Sequence, residues 1–326
     1  MEARIAYSGR KFARPRYYAN AHERDEVDIV LHPMAMTDAR GAGTSIDREG
    51  FEIVAHRSAV TDFADREQVA RIHMREIEEL VQAQTGADFV HVGAPGLLRF
   101  SEKSGKAGSL DNSMPARFAH IDISDATARA FAERGAGGRS YLRCAHYNVW
   151  RAISPPPQDV PLAFCDARSL APVDLIAADA VFDAPGQPEW SFEGLVVAHN
   201  PAHRWHWFSQ MTIDEAVLFK TNDSDPARAH HVPHVAFDLP NCPADAPRVS
   251  ASKCARRPIG GLERGAHCAT HTVTNDRVRC GHGCVSADDL LYRCERAGGA
   301  GSGTARTEGG GRAACRGARQ LLSRRT

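Results

Sequence analysis

Ala116-Arg117-Phe118-Ala119-His120-Ile121-Asp122-Ile123 reads as a β-strand. In a strand, residues i and i+2 point to the same face. His120 and Asp122 therefore present an imidazole and a carboxylate side by side. Downstream, β-like segments follow at residues 140–153, 162–166, 191–198, 203–208, 216–221 and 232–237. Pro, Gly and Asn separate them at the intervals of an all-β sandwich or barrel. Aromatic residues gather in the same region: Trp150, Trp190, Trp205, Trp207, Phe208 and Phe219. Upstream, Val69, Ile72, Ile77, Leu80 and Val81 recur at helical spacing after the candidate caps Asp62 and Asp65, and Gly86 ends the pattern. Residues 89–92 read as a strand, residues 101–112 as a Gly/Ser/Lys-rich loop, and residues 125–134 as a short helix stopped by Gly135. The expectation is a mainly β protein with flanking helices. Residues 1–85 form an N-terminal α/β extension packed on a jelly-roll core of residues 86–250, and there is no internal repeat.

A second isolated histidine lies in Val232-Pro233-His234-Val235-Ala236-Phe237. Two histidines and one carboxylate can form the facial triad of non-haem Fe(II) oxygenases, which leaves open positions on the metal. Beyond it comes Arg248-Val249-Ser250, where an Arg and a hydroxyl two residues apart can hold a carboxylate. Each element alone has a bland reading: a surface strand, a satisfied core histidine, an unremarkable Arg-x-Ser. Their order is the specific feature. Tandem His230-His231 offers alternative ligands or a solvated loop, and His146 reads as structural. Asn148 and Arg151 are candidates for cofactor or substrate contact, with a surface ion pair as the alternative for Arg151. Trp150, Trp205 and Trp207 suit either an apolar pocket or core packing. The chain has no Gly-rich phosphate loop, no G-x-S-x-G elbow and no H-E-x-x-H.

The chain has 326 residues and zero formal net charge, with 43% hydrophobic and 25% charged residues. That is ordinary for a soluble globular protein. No apolar run approaches the roughly 20 residues of a membrane span, and the N-terminus leads into no signal-like stretch. The average hides a break near residue 250. Residues 251–326 hold 14 Lys+Arg against 6 Asp+Glu, 13 of the 27 Gly, 6 of the 9 Cys and a single aromatic, Tyr292. Such a segment has little to bury, so it is expected to be a disordered tail with one short helix near residues 287–296. Cys268, His271, Cys280 and Cys284 offer a zinc set there, or cluster by composition. The scattered cysteines of the first 250 residues fit a reducing cytoplasm. The tail's arginines, with no interleaved aromatics, argue against nucleic acid as a partner.

Several long segments resemble one family: Tyr147–Ile153, Pro161–Ser169, Asn200–Phe208, Met211–Thr221 and Val232–Asp238. It is the family of CmcJ-like and AsaB-like hydroxylase/desaturases, and the resemblance covers roughly residues 60–250. It implies an Fe(II)/2-oxoglutarate oxygenase on a double-stranded β-helix. His120, Asp122 and His234 match its metal positions, and Arg248 with Ser250 match its Pro-Arg-x-Ser segment. The expected cofactors are Fe(II) and 2-oxoglutarate, and the expected partners are dioxygen and a small organic substrate. In the family that segment opens a final apolar strand. Here Ala251-Ser252-Lys253-Cys254-Ala255-Arg256-Arg257-Pro258 shows no alternation, and Pro258 argues against a central strand. A tail read out of frame would leave the barrel without an edge. The competing expectation is then a catalytically impaired jelly-roll protein that binds a metal or metabolite.

Overall fold

A computed structural model describes residues 1–260, with side chains through Cys254. Among them fifteen strands form two sheets. In chain order they are β1 (Glu2–Ser8), β2 (Arg16–Tyr18), β3 (Ile29–Asp38), β4 (Phe51–Ala55), β5 (Phe89–Val92), β6 (Leu97–Phe100), β7 (His120–Ile121) and β8 (Arg143–Ala152). Then follow β9 (Leu162–Cys165), β10 (Leu175–Phe182), β11 (Trp190–Val197), β12 (Trp205–Trp207), β13 (Glu215–Asp223), β14 (His234–Ala236) and β15 (Ser250–Gly260). The larger sheet runs β1-β3-β12-β9-β14-β7-β11-β10-β2, and the smaller runs β4-β13-β8-β15-β5 with β6 also on β15. Residues 1–55 thus supply strands to both sheets.

The inner faces meet in one apolar core. Phe51, Trp150, Phe219 and Ala251 from the smaller sheet pack with Leu162, Phe164 and Ala236 from the larger, and Phe51 stacks on Phe164 at 5.4 Å. This is the expected double-stranded β-helix. Strand β8 is buried from Cys144 to Ala152 because both of its faces are covered. Trp150 and Ala152 point inward. Ala145, Tyr147 and Val149 point outward, onto Ile77, Leu80 and Val81 of the helix Met74–Thr85. Asp65 caps the helical run by accepting from Gln68 N at 3.0 Å, and Gly86 ends it at φ 66°, the left-handed position that glycine takes without strain. The second helix is Asp125–Ala136, capped by Ser124. It ends at Gly137, so Gly135 lies inside it.

Residues 251–260 overturn the expectation that the fold stops at Ser250. They continue β15, which pairs antiparallel with β8 along most of that strand and with β6 and β5 on its other side. The pairing with β8 skips Arg257 and Pro258, consistent with the donor that proline lacks. The missing alternation misled because both flanks of β15 are already paired, so neighbouring strands supply what its own pattern does not. The remaining expectations for the tail, including the helix near 287–296 and the set Cys268, His271, Cys280 and Cys284, lie outside the described residues.

Next to the core lies a buried ion cluster. The fully buried Lys220 ammonium donates to Asp223 at 2.7 Å and to Asp47 at 3.1 Å, and Arg143 donates to both oxygens of Asp223. Burial alone would raise the Asp223 carboxyl, but Arg143 and Lys220 outweigh it and hold it below the ordinary value. Asp223→Ala strands these cations, so it is expected to cost about 3–5 kcal/mol in urea unfolding. A carboxyl lowered in the folded state adds stability above its unfolded pKa of about 3.9. That contribution is lost as pH falls through the lower folded value. The wild-type-to-variant stability gap should therefore narrow below about pH 4; a gap unchanged on further acidification would contradict this assignment.

Candidate active site

His120 and Asp122 enter from β7 and the residue that follows it, and His234 opens β14, which pairs with β7 directly at His120. Their donor atoms converge between the sheets. His120 Nε2 lies 3.4 Å and His234 Nε2 3.5 Å from Asp122 Oδ1. Donors bound at about 2.1 Å to one ion sit roughly 3.0 Å apart on an octahedral edge and 3.4 Å on a tetrahedral edge, so the spacing suits a single cation. The ring orientations suit it as well. His120 Nδ1 lies 2.9 Å from Phe118 O and His234 Nδ1 3.3 Å from Val232 O. A proton on each Nδ1 donates to that carbonyl, which leaves each Nε2 lone pair aimed into the cluster. Burial, with Lys253 and His120 nearby, pushes His234 down to about 3, so it is neutral at pH 7. Burial would raise Asp122, but the Lys253 ammonium outweighs it and holds it well below the ordinary carboxyl value. The donor set therefore fits a divalent metal.

Asn148 reaches this centre, donating from Nδ2 to Asp122 Oδ2. Arg151 does not. The two lie an odd number of steps apart along β8, so they face opposite sides of the sheet. Arg151 is buried on the outer side, where its Nη2 meets His56 Nδ1 and the His56 carbonyl. Arg248 and Ser250 are also displaced from their expected place. Arg248 donates to Ala244 O at 3.3 Å, lies 3.6 Å from Asp159 and is partly exposed. Ser250 has the opposite parity to Ala251, which points into the core, and its amide donates to Ser154 Oγ at 3.2 Å. Neither residue lines the cavity beside the three donors. Of the three tryptophans only Trp150 lines it. Trp205 is core, with Nε1 donating to Tyr7 Oη at 2.6 Å.

Two cationic residues at the cavity escaped the sequence reading: Arg99 and Lys253. Lys253 shares the parity of Ala251, so β15 aims it inward. Its Nζ lies 2.9 Å from Asp122 Oδ1 and 3.0 Å from His234 Nε2. It was missed because residues 251–258 read as tail; in an inward-facing frame, the alternation Ala251, Lys253 would have pointed to it. Arg99 Nη1 is anchored by Asn112 Oδ1 at 2.6 Å and Met114 O at 2.9 Å. The cavity is otherwise largely apolar, with Leu162 and Trp150 in its walls. His230 and His231, read as alternative ligands or as loop, join a separate cluster with Asp125.

Comparison with known proteins bears on the family and the fold. Residues 7–252 match the model of the oxidoreductase/YMDC permease-like domain family. The alpha-ketoglutarate-dependent dioxygenase phiK of a fungal species is 29% identical over 229 residues, covering 65% of this chain and 79% of its own length. The hydroxylase/desaturase CTB9 of Cercospora beticola is 31% identical over 227 residues, covering 60% of this chain and 67% of its own. Among solved structures, the iron and alpha-ketoglutarate-dependent endoperoxidase NvfI superimposes with a TM-score of 0.65 at 22% identity, over 80% of this chain and 98% of its own; that likeness speaks to the fold. The chain belongs to the hydroxylase/desaturase family of Fe(II)/2-oxoglutarate oxygenases.

Proposed function

We propose that the protein oxidises a small organic molecule of the secondary-metabolite kind at a centre formed by His120, Asp122 and His234. The observation that carries this reading is the convergence of the three donors with both Nδ1 atoms facing backbone carbonyls. His120 Nε2, Asp122 and His234 Nε2 would hold Fe(II), and with 2-oxoglutarate and dioxygen that centre supplies the oxidising power to attack a C–H bond. The chain's own residues do the rest. Asn148 occupies Asp122 Oδ2 and leaves Oδ1 to the centre. Arg99 and Lys253 place positive charge at the cavity, where the carboxylates of 2-oxoglutarate require it. They replace Arg248 and Ser250 in that role, and Arg151 drops out. Trp150 and Leu162 give the substrate an apolar wall and keep water away.

The alternative of an impaired binding protein rested on a missing last strand, and β15 occupies that place. A cytoplasmic location belongs to the same reading, supported by few and scattered cysteines outside the tail; among the described residues no helix is long and apolar enough to cross a membrane. The test is Fe(II)-dependent conversion of 2-oxoglutarate to succinate, stimulated by members of an extract of small apolar metabolites. Wild type should show it and His120→Ala should not; equal succinate from both would overturn the assignment. Asn148→Ala should weaken Fe(II) binding about 10-fold, the low end for losing a partner of a metal ligand, while Asn148→Asp, which adds negative charge beside the cation, should offset part of that loss. Iron titration under argon reads both.

A further inference from the structure

Asp125, His230 and His231 form a second constellation of two imidazoles and a carboxylate, away from the centre described above. Asp125 opens the helix Asp125–Ala136, and the histidines lie in the loop between β13 and β14. His230 Nε2 is 2.8 Å and His231 Nε2 3.4 Å from Asp125 Oδ1. The second matches the spacing of donors around one small cation, roughly 3.0–3.4 Å, and the first is a little shorter.

The surrounding hydrogen bonds fix where the lone pairs point. His230 Nδ1 lies 2.6 Å from Asp223 O, so a proton belongs there, and a neutral ring turns the Nε2 lone pair toward Asp125. Asn222 Nδ2 donates both to Asp125 Oδ1 at 2.7 Å and to His231 Nε2 at 3.2 Å. An amide donor on His231 Nε2 makes that nitrogen an acceptor too. Three acceptors from two chain segments thus converge, and one side of the cluster is open to solvent at His230 and Asp125. Asn222 supplies a donor to two of them, and a cation held between the three would supply the rest. Two imidazoles with one carboxylate and room for water is a ligand set of zinc type.

We propose that Asp125, His230 and His231 are a second divalent transition-metal site, taking Zn²⁺ or an ion of similar preference. Asp125 comes three residues after Asp122, and His231 three residues before His234. An ion there ties together the two segments that carry the ligands of the first centre. It acts as a structural staple at the edge of the active site and touches neither substrate nor 2-oxoglutarate.

The test uses the full chain, stripped with chelator and dialysed against micromolar Zn²⁺, with bound zinc counted by elemental analysis. Asp125→Asn and His230→Ala alter side chains that are partly exposed to solvent. Each should hold one zinc fewer than wild type. The pair His120→Ala/His234→Ala should also hold one fewer, and combining it with His230→Ala should remove two. The zinc-dependent rise in melting temperature should persist in His120→Ala/His234→Ala and disappear once His230→Ala is added. Zinc counts in Asp125→Asn and His230→Ala equal to wild type would overturn the proposal, whatever zinc the rest of the chain holds.

Discussion

His234→Ala is expected to lose Fe(II) on anaerobic desalting and to form no succinate above background. Removing a hydrogen-bond partner of a metal ligand already costs about 10- to 100-fold in affinity, so loss of the ligand itself should exceed about 100-fold. His234 is buried on β14, and its ring lies 4.7 Å from that of Phe219, so the variant also loses some packing. The fold should survive, because the large clusters around Phe51, Phe164 and Trp205 do not depend on this ring. Circular dichroism and iron content on the same sample separate the two effects. A folded variant that retains one iron per chain would reassign the ligands.

Lys253→Met is expected to move two constants in opposite directions. The ammonium already sits against two of the three donors, at 2.9 and 3.0 Å. An incoming divalent ion must compete with it for the same lone pairs, and two cations a few ångströms apart repel by several kcal/mol even at an effective dielectric constant near 20. Methionine keeps the stem and removes the charge. Fe(II) should then bind at least about 10-fold tighter, roughly 1.4 kcal/mol. In the proposed site Lys253 would also supply charge for 2-oxoglutarate, so the concentration of 2-oxoglutarate at half-maximal rate should rise about 10- to 100-fold, the value of one charged hydrogen bond. A purely structural lysine would weaken both. Unchanged iron affinity in Lys253→Met would show that the ammonium moves aside without cost.

The sequence pattern made the centre legible where local geometry was enough. His120 and Asp122 share a face by strand parity alone, and β14 brings His234 against His120 because β7 and β14 are neighbours in one sheet. Parity also explains a failure: Asn148 and Arg151, an odd number of steps apart on one strand, could not both face the cavity. Arg248 failed for a different reason. Its backbone lies at the entrance to β15, while its side chain turns to Asp159 and the Ala244 carbonyl, a choice set largely by a group distant in sequence. Strand β15 was illegible because its identity comes from β8, β5 and β6 rather than from its own alternation. Strand β3 was missed similarly: Ile29, Val30 and Leu31 are exposed, and the strand is held by pairing with β1 and β12. Arg99 carries no motif at all; only the fold brings it beside Lys253.

The most direct measurement of the central claim is an anaerobic titration of wild-type protein, first with Fe(II) and then with 2-oxoglutarate, followed by visible absorption. A bidentate 2-oxo acid on Fe(II) gives a weak metal-to-ligand charge-transfer band. That band should grow to saturation at one equivalent of iron, be absent when succinate replaces 2-oxoglutarate, and be absent in His234→Ala. Iron bound stoichiometrically with no band on adding 2-oxoglutarate, or an equal band in His234→Ala, would contradict an Fe(II)/2-oxoglutarate centre at His120, Asp122 and His234.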